Sequence, residues 1–446
     1  MFSKLSNNLI LNNIFYEVIN IKLFLQNKFK CTHFKKQFDS SLTTPKMNRT
    51  TKEISQKEFI ILIGLMMALV ALAIDMMLPA LPLIGKQLGV IDKNDNQLII
   101  SLLFLGIAFG QLFYGPISDS YGRKPSIYIG FFIFIFGTLL SLFSSSLPLM
   151  LVGRFIQGFG IAGPRIISVA LVRDRFGGAE MAKIMSVVMA IFIVVPILAP
   201  ALGQVILMFA EWQYIFVFFL FYAVVLLVWF RIRMPESLSE ADKHQLSFSR
   251  VFRVTLEILK NRKSLGYIIA AGFVSSLFLG YLNSSQQLFQ DTYGLGENYA
   301  FVFALLALSV GLGSVLNGQL LVKRYGMIKM VKFASISITA FSFVFLFILV
   351  QFSGVPPLSY LLLFLIIALF FTGILFGNLN ALAMEPLGHV AGVGSSVVGA
   401  LSTLISVPFG IFIGLSYNNT VFPLTLGFVG MGFLCYLAIL WASKKR

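Results

Sequence analysis

Three charged side chains stand inside long apolar runs of this chain: Asp75, Arg154 and Arg165. A charge at the centre of a bilayer costs roughly 2.5–3.5 kcal/mol on insertion scales, so ionisable residues at such depth are functional candidates by default. Asp75 falls about eight residues inside one end of its run and Arg154 about five, roughly 12 and 7.5 Å deep at 1.5 Å per residue. A side chain bridges that difference. The two are expected to form a protonation-sensitive pair, because burial favours the neutral acid, a nearby guanidinium favours the carboxylate, and their separation tunes proton uptake and release. A permanent pair that only holds two helices together fits the same spacing. Arg165 follows Arg154 by eleven residues, three helical turns, and so lies on almost the same face. It comes directly after Pro164, where a kink is expected. Arg165 either lines a central cavity and meets an anionic substrate, or snorkels, or pairs with a carbonyl.

Only membrane-spanning helices can hold such residues. Of 446 residues 58% are hydrophobic and 12% charged, with a mean hydropathy of +0.88, too apolar for an ordinary soluble domain. A span needs roughly 20 apolar residues. Twelve such runs are predicted, near 59–83, 98–117, 127–147, 149–172, 181–208, 214–232, 265–288, 299–322, 327–350, 358–384, 390–415 and 421–441. The first opens near Phe59 and the seventh near Leu265, the fourth near Leu149 and the tenth near Leu358, offsets of about 206 and 209 that mark a duplication. Residues 47–232 and 264–446 are thus two six-helix bundles, joined by a polar linker at 233–263 that holds a short amphipathic segment. Two such bundles around a central site is the architecture of a family of transporters with parallel repeats.

The formal charge of +16 is topological rather than a nucleic-acid patch. With a cytoplasmic N-terminus, inner loops hold Arg123, Lys124, Arg173, Arg175, Lys183, the cluster from Arg231 to Lys263, Lys323, Arg324 and Lys444, while outer loops hold only Lys86 and Lys93. That bias predicts both termini in the cytoplasm. Cys31 and Cys435 are expected to form no disulfide, and no metal site is expected. Residues 1–46 are read as a disordered extension or as lying upstream of a true start at Met47.

After the second span comes Gly115-Pro-Ile-Ser-Asp119-Ser-Tyr-Gly122-Arg123-Lys124, which fits G-x-x-x-D-x-x-G-R-K at every fixed position. A partial echo, Gly318 to Gly326, follows the eighth span. Glycines permit a tight turn and close helix approach. Asp119 is expected to face the positive N-terminal end of the eleventh span, near residues 389–394, and Arg123 to pair with Asp174, latching this side. Arg123 and Lys124 acting only as topology determinants is the plainer alternative.

This loop resembles the signature of the major facilitator superfamily. With Asp75-Met-Met-Leu-Pro79, Arg154-Phe-Ile-Gln157-Gly158 and a fifth span carrying Pro196, Pro200 and Gly203, residues 55–442 resemble the bicyclomycin-resistance (Bcr/CflA) branch of drug:proton antiporters. The resemblance implies an all-α major facilitator fold in a bacterial inner membrane, acting as a monomer. It implies export of varied small amphipathic molecules in exchange for protons, with the proton gradient as energy source and no cofactor. The fifth span departs from the antiporter pattern G-P-x-x-G-G, reading Ala199-Pro200-Ala-Leu-Gly203-Gln204.

Polar residues that can face a drug cavity are Gln111, Gln157, Asn283, Gln286, Gln287, Asn378 and Asn380, although for any single one an interhelical hydrogen bond is the better reading. Glu385, beside Pro386, reads as an interfacial charge. His33, His244 and His389 are far apart, and no catalytic constellation emerges, which disfavours an enzyme. An importer of a nutrient by proton symport differs only in substrate and direction.

Overall fold

The computed structural model describes residues 54–238 and 248–444 of the chain, and all of their regular structure is helical. The 1–46 extension, His33, His244 and Cys31 lie outside these residues. Among the described residues twelve helices are long and apolar enough to cross a membrane. We label their main segments α1 (Gln56–Asp75), α2 (Leu98–Tyr121), α3 (Arg123–Leu142), α4 (Leu147–Arg175), α5 (Gly178–Phe209), α6 (Gln213–Arg233), α7 (Arg262–Gln286), α8 (Tyr299–Leu316), α9 (Met327–Gln351), α10 (Leu358–Met384), α11 (Ala391–Leu415) and α12 (Phe422–Ser443).

Small residues set the packing of α4, because without a hydrophobic drive between helices in lipid, close backbone approach supplies the contact energy. A Cβ at Gly106 or Gly158 would meet the backbone of Phe155 or Leu103 across the α2–α4 crossing. Gly130, Gly137, Gly153 and Gly160 do the same work between α3 and α4, with Gly130 against Pro164. The second half repeats the device: Gly313 and Gly373 lie on the carbonyls of Phe370 and Val310 between α8 and α10. The turn before α3 is made by Gly122 at φ 107°, and its counterpart before α9 by Gly326 at φ 80°. Both are conformations that side chains with a Cβ rarely adopt.

The two halves meet along α2 and α11. Gln97 touches Gly414 at one end of this seam, Gln111 touches Gly399 midway, and Ser396 touches Gly115 at the end carrying the glycine loop. Between the halves, helix Phe248–Lys260 buries Val254 and Ile258 and leaves Phe252, Leu256 and Leu259 exposed. Two apolar faces on one helix match an element seated against the bundle and facing lipid.

Candidate functional site

Helix α1 ends at Asp75, inside the first span: a turn at residues 76–77, a 3-10 segment Leu78–Ala80 and a short helix Leu81–Gln87 complete the crossing. Pro79 and Pro82 enforce the break, since neither can donate an N–H to a continuing helix. The last carbonyls of a helix have no intrahelical donor. Arg154, fully buried on α4, supplies one: its Nη2 donates to the Ala73 carbonyl at 2.7 Å. A cation at a helix C-terminus is also the favourable match to the backbone dipole. The other donors of Arg154 go to the Ile99 carbonyl at 3.1 Å and to Gln157 Oε1, whose Nε2 donates to Thr138 Oγ1 at 2.9 Å. Gln157, a cavity candidate by sequence, is therefore occupied at both ends of its amide.

Asp75 itself is 4% exposed and makes no hydrogen bond or ion pair among the described residues. Arg154 holds the backbone two residues earlier and not the carboxyl group. Tyr281 on α7 and Tyr299 at the start of α8 are within electrostatic range of Asp75. The Tyr299 hydroxyl pairs with Ser285 Oγ at 3.1 Å, whereas the buried Tyr281 hydroxyl has no partner among the described residues. Gly203 on α5 lies directly on the Met76 carbonyl, so a side chain there would push on the break. Pro196 and Pro200 sit inside the same helix, Pro200 buried.

The glycine loop forms a dense charge cluster. Arg123 is 3% exposed and pairs with Asp119, with Ser118 Oγ at 2.9 Å and with Asp174 Oδ2 at 2.8 Å. Asp119 Oδ2 lies 3.9 Å from the point a Cβ on Gly392 would occupy, against the first turn of α11. Charge complementarity with a helix N-terminus accounts for that placement. Glu236, beyond α6, was not legible as a partner: its two oxygens accept the backbone N–H groups of Arg123 and Lys124, each at 2.9 Å, and so cap α3. Lys124 Nζ donates back to the carbonyls of Met234 at 2.6 Å and Arg231 at 3.0 Å. A Pro-Glu pair just past a helix is the only local signal.

At the opposite end, amides join the halves. Asn94 Nδ2 donates to the carbonyls of Leu415 and Tyr417 at 3.1 and 3.0 Å, Gln287 Nε2 donates to Asn94 Oδ1 at 2.9 Å, and Gln97 bonds Gln287. Asn283 Nδ2 reaches Ser101 Oγ at 2.9 Å and the Gly410 carbonyl at 3.1 Å. Burial, outweighing a bond from Thr292, raises the Tyr417 hydroxyl above its ordinary pKa, so it stays a donor, to the Gln287 carbonyl at 3.2 Å. A cavity of about 440 Å³ borders this lock, lined by Asp92, Lys93, Asp291 and Asn419 among others.

The remaining candidates divide. Gln111 is buried on the α2–α11 seam. Asn378 exchanges two amide bonds with Asn317, at 3.0 and 3.1 Å, tying α10 to α8. Gln286 bonds Gln290, and Asn380 is exposed with its amide on the Phe376 carbonyl. Glu385 pairs at the surface with Lys263 at 2.9 Å. Arg165 is half-buried and has no acceptor among the described residues. Those residues contain no group of three or more His, Cys, Asp or Glu able to hold a metal ion.

A profile of the Major Facilitator Superfamily matches residues 63–411. An uncharacterized MFS-type transporter of Bacillus subtilis is 30% identical over 380 residues, covering 84% of this chain and 92% of that protein. A bicyclomycin resistance protein homolog of Haemophilus influenzae is 27% identical over 371 residues, 82% of this chain and 91% of that one. Among solved structures, the xylose transporter XylE of E. coli superposes with a TM-score of 0.65 at 12% identity, over 87% of this chain and 99% of the other.

Proposed function

The chain belongs to the Major Facilitator Superfamily, and from that premise we propose that it exports small amphipathic molecules in exchange for protons by alternating access. One observation carries this reading: a carboxyl group, Asp75, buried where a spanning helix breaks and without a hydrogen-bond partner among the described residues. A carboxyl group that no neighbour holds is free to exchange a proton as its surroundings change. Motion of α1 that brings it nearer the Arg154 guanidinium favours release, so Asp75 is the proton carrier and Arg154 its modulator. The similarity to a bicyclomycin resistance homolog supports drugs as the cargo.

In this reading residues 47–232 and 264–446 are the two rocking bundles and 233–263 the linker. The protein works as a monomer in a bacterial inner membrane, with the proton gradient as its only energy source. The cluster of Asp119, Arg123, Asp174 and Glu236 closes the cytoplasmic side, and the amides of Asn94, Gln97 and Gln287 close the outer side. Both termini then face the cytoplasm.

Proton movement in inverted vesicles tests this. Addition of drugs is expected to collapse a preformed pH gradient with the native protein and not with Asp75→Asn. No collapse with any drug, together with nutrient uptake by intact cells, overturns export in favour of proton-coupled import.

A further inference from the structure

Arg123, Arg154, Arg175, Arg233 and Arg262 each donate to named acceptors. Arg165 donates to none among the described residues, although it stands ten residues, about 15 Å, inside the end of α4 at Arg175. A guanidinium cannot shed its proton there to escape the cost of burial. Snorkelling fits poorly with the helical register. Eleven residues separate it from Arg154, so the two share the face of α4 that looks at α1 and α2 rather than at lipid.

The level of Arg165 is fixed by the α2–α4 crossings, where Gly106 meets Phe155 and Gly110 meets Phe159 and Ala162. At the next turn the Tyr114 ring lies against Gly163, two residues before Arg165, and Gly115 is the point where Ser396 of the other half arrives. The hydroxyls of Tyr114, Ser168 and Ser396 are buried and have no partner among the described residues. Ser168 is three residues beyond Arg165, a neighbour on the helix surface. Buried hydroxyls normally find partners.

We propose that Arg165 is the docking point for an acidic group on the transported compound, with the Ser168 hydroxyl as its second donor. A planar guanidinium fork presents two parallel N–H groups to the two oxygens of a carboxylate. The inference rests on the exporter reading and narrows it: the compounds carried bear a carboxylate or a similar anion beside an apolar body.

The test is thermal unfolding of the purified full-length protein in detergent, titrated with aromatic carboxylates such as salicylate and with the matching amides such as salicylamide. Carboxylates are expected to raise the unfolding midpoint of the native protein. Arg165→Gln is expected to need at least ten times more acid for the same rise, Arg165→Lys to fall between, and neither to alter the response to amides. Acids and amides acting alike, no acid in the panel acting, or Arg165→Gln responding as the native protein does, overturns the proposal. Should Arg165→Gln fail to fold, the acid-against-amide comparison in the native protein and Arg165→Lys still decides. Vesicle assays with the same compounds keep the two readings apart: acid binding through Arg165 without proton exchange leaves the site standing and removes the antiporter, and proton exchange driven equally by amides does the reverse.

Discussion

Arg154 donates to the carbonyl of Ala73, two residues before the buried Asp75, and so caps the helix whose end carries the acid. The guanidinium and the carboxyl group are linked through a backbone turn rather than through an ion pair. A shift of one turn-end relative to α4 therefore changes their separation without breaking any bond between them. Arg154→Lys places a point charge where a fork serves three acceptors and leaves at least one of them unpaired. Each buried acceptor stranded in this way costs about 1–3 kcal/mol. We expect Arg154→Lys to lose at least tenfold in drug-driven proton movement and to unfold at lower temperature than the native protein. Native-like exchange in that variant would show that the cap is dispensable.

The two carboxylate oxygens of Glu236 hold the first two N–H groups of α3. Glu236→Gln keeps one acceptor and Glu236→Ala keeps none, so stability should fall in that order, with about 1–2 kcal/mol lost in the alanine variant, as for other N-terminal caps. The same order is expected for transport, measured in vesicles, because the cap also fixes the position of Arg123. Equal behaviour of the two variants would assign the effect to charge alone.

The spans and the glycine turn were legible because hydropathy and turn chemistry are written residue by residue. Arg123 reaches Asp174 as its position just past one helix and theirs at the end of another suggest. What stayed hidden has a common cause. Ala73, Leu415, Tyr417 and Gly410 take part through their carbonyls, which every residue possesses. Gln157 and Asn378, open by sequence to a ligand or to an interhelical hydrogen bond, make the second, but their partners Thr138 and Asn317 are polar groups that hydropathy does not mark. The departure at the fifth span is also explained in part: of its small residues Gly203 is retained, and that is the one lying on the Met76 carbonyl.

Gly203→Val should be severe for that reason. A β-branched side chain meets backbone, not a flexible tip, and α5 must move away from the break after Asp75. We expect loss of drug-driven proton movement with helical content retained by circular dichroism. Activity within twofold of native would mean that α5 is free to retreat.

The hydrogen bonds that join the halves at the far end run between amides and carbonyls, so this closure depends on geometry more than on charge. Asn94→Ala combined with Gln287→Ala removes the donors and acceptors that join residues 94–97 to α7 and α11, and should leave this end open more of the time. The check is labelling of Ser101→Cys by a membrane-impermeant maleimide, in a background with Cys31→Ser; Cys435 is buried. Ser101 itself is buried beside Asn283, so labelling is expected to be slow with the lock intact and at least fivefold faster without it. An unchanged rate would place the closure elsewhere, at the α5–α8 seam that joins the halves on the other side.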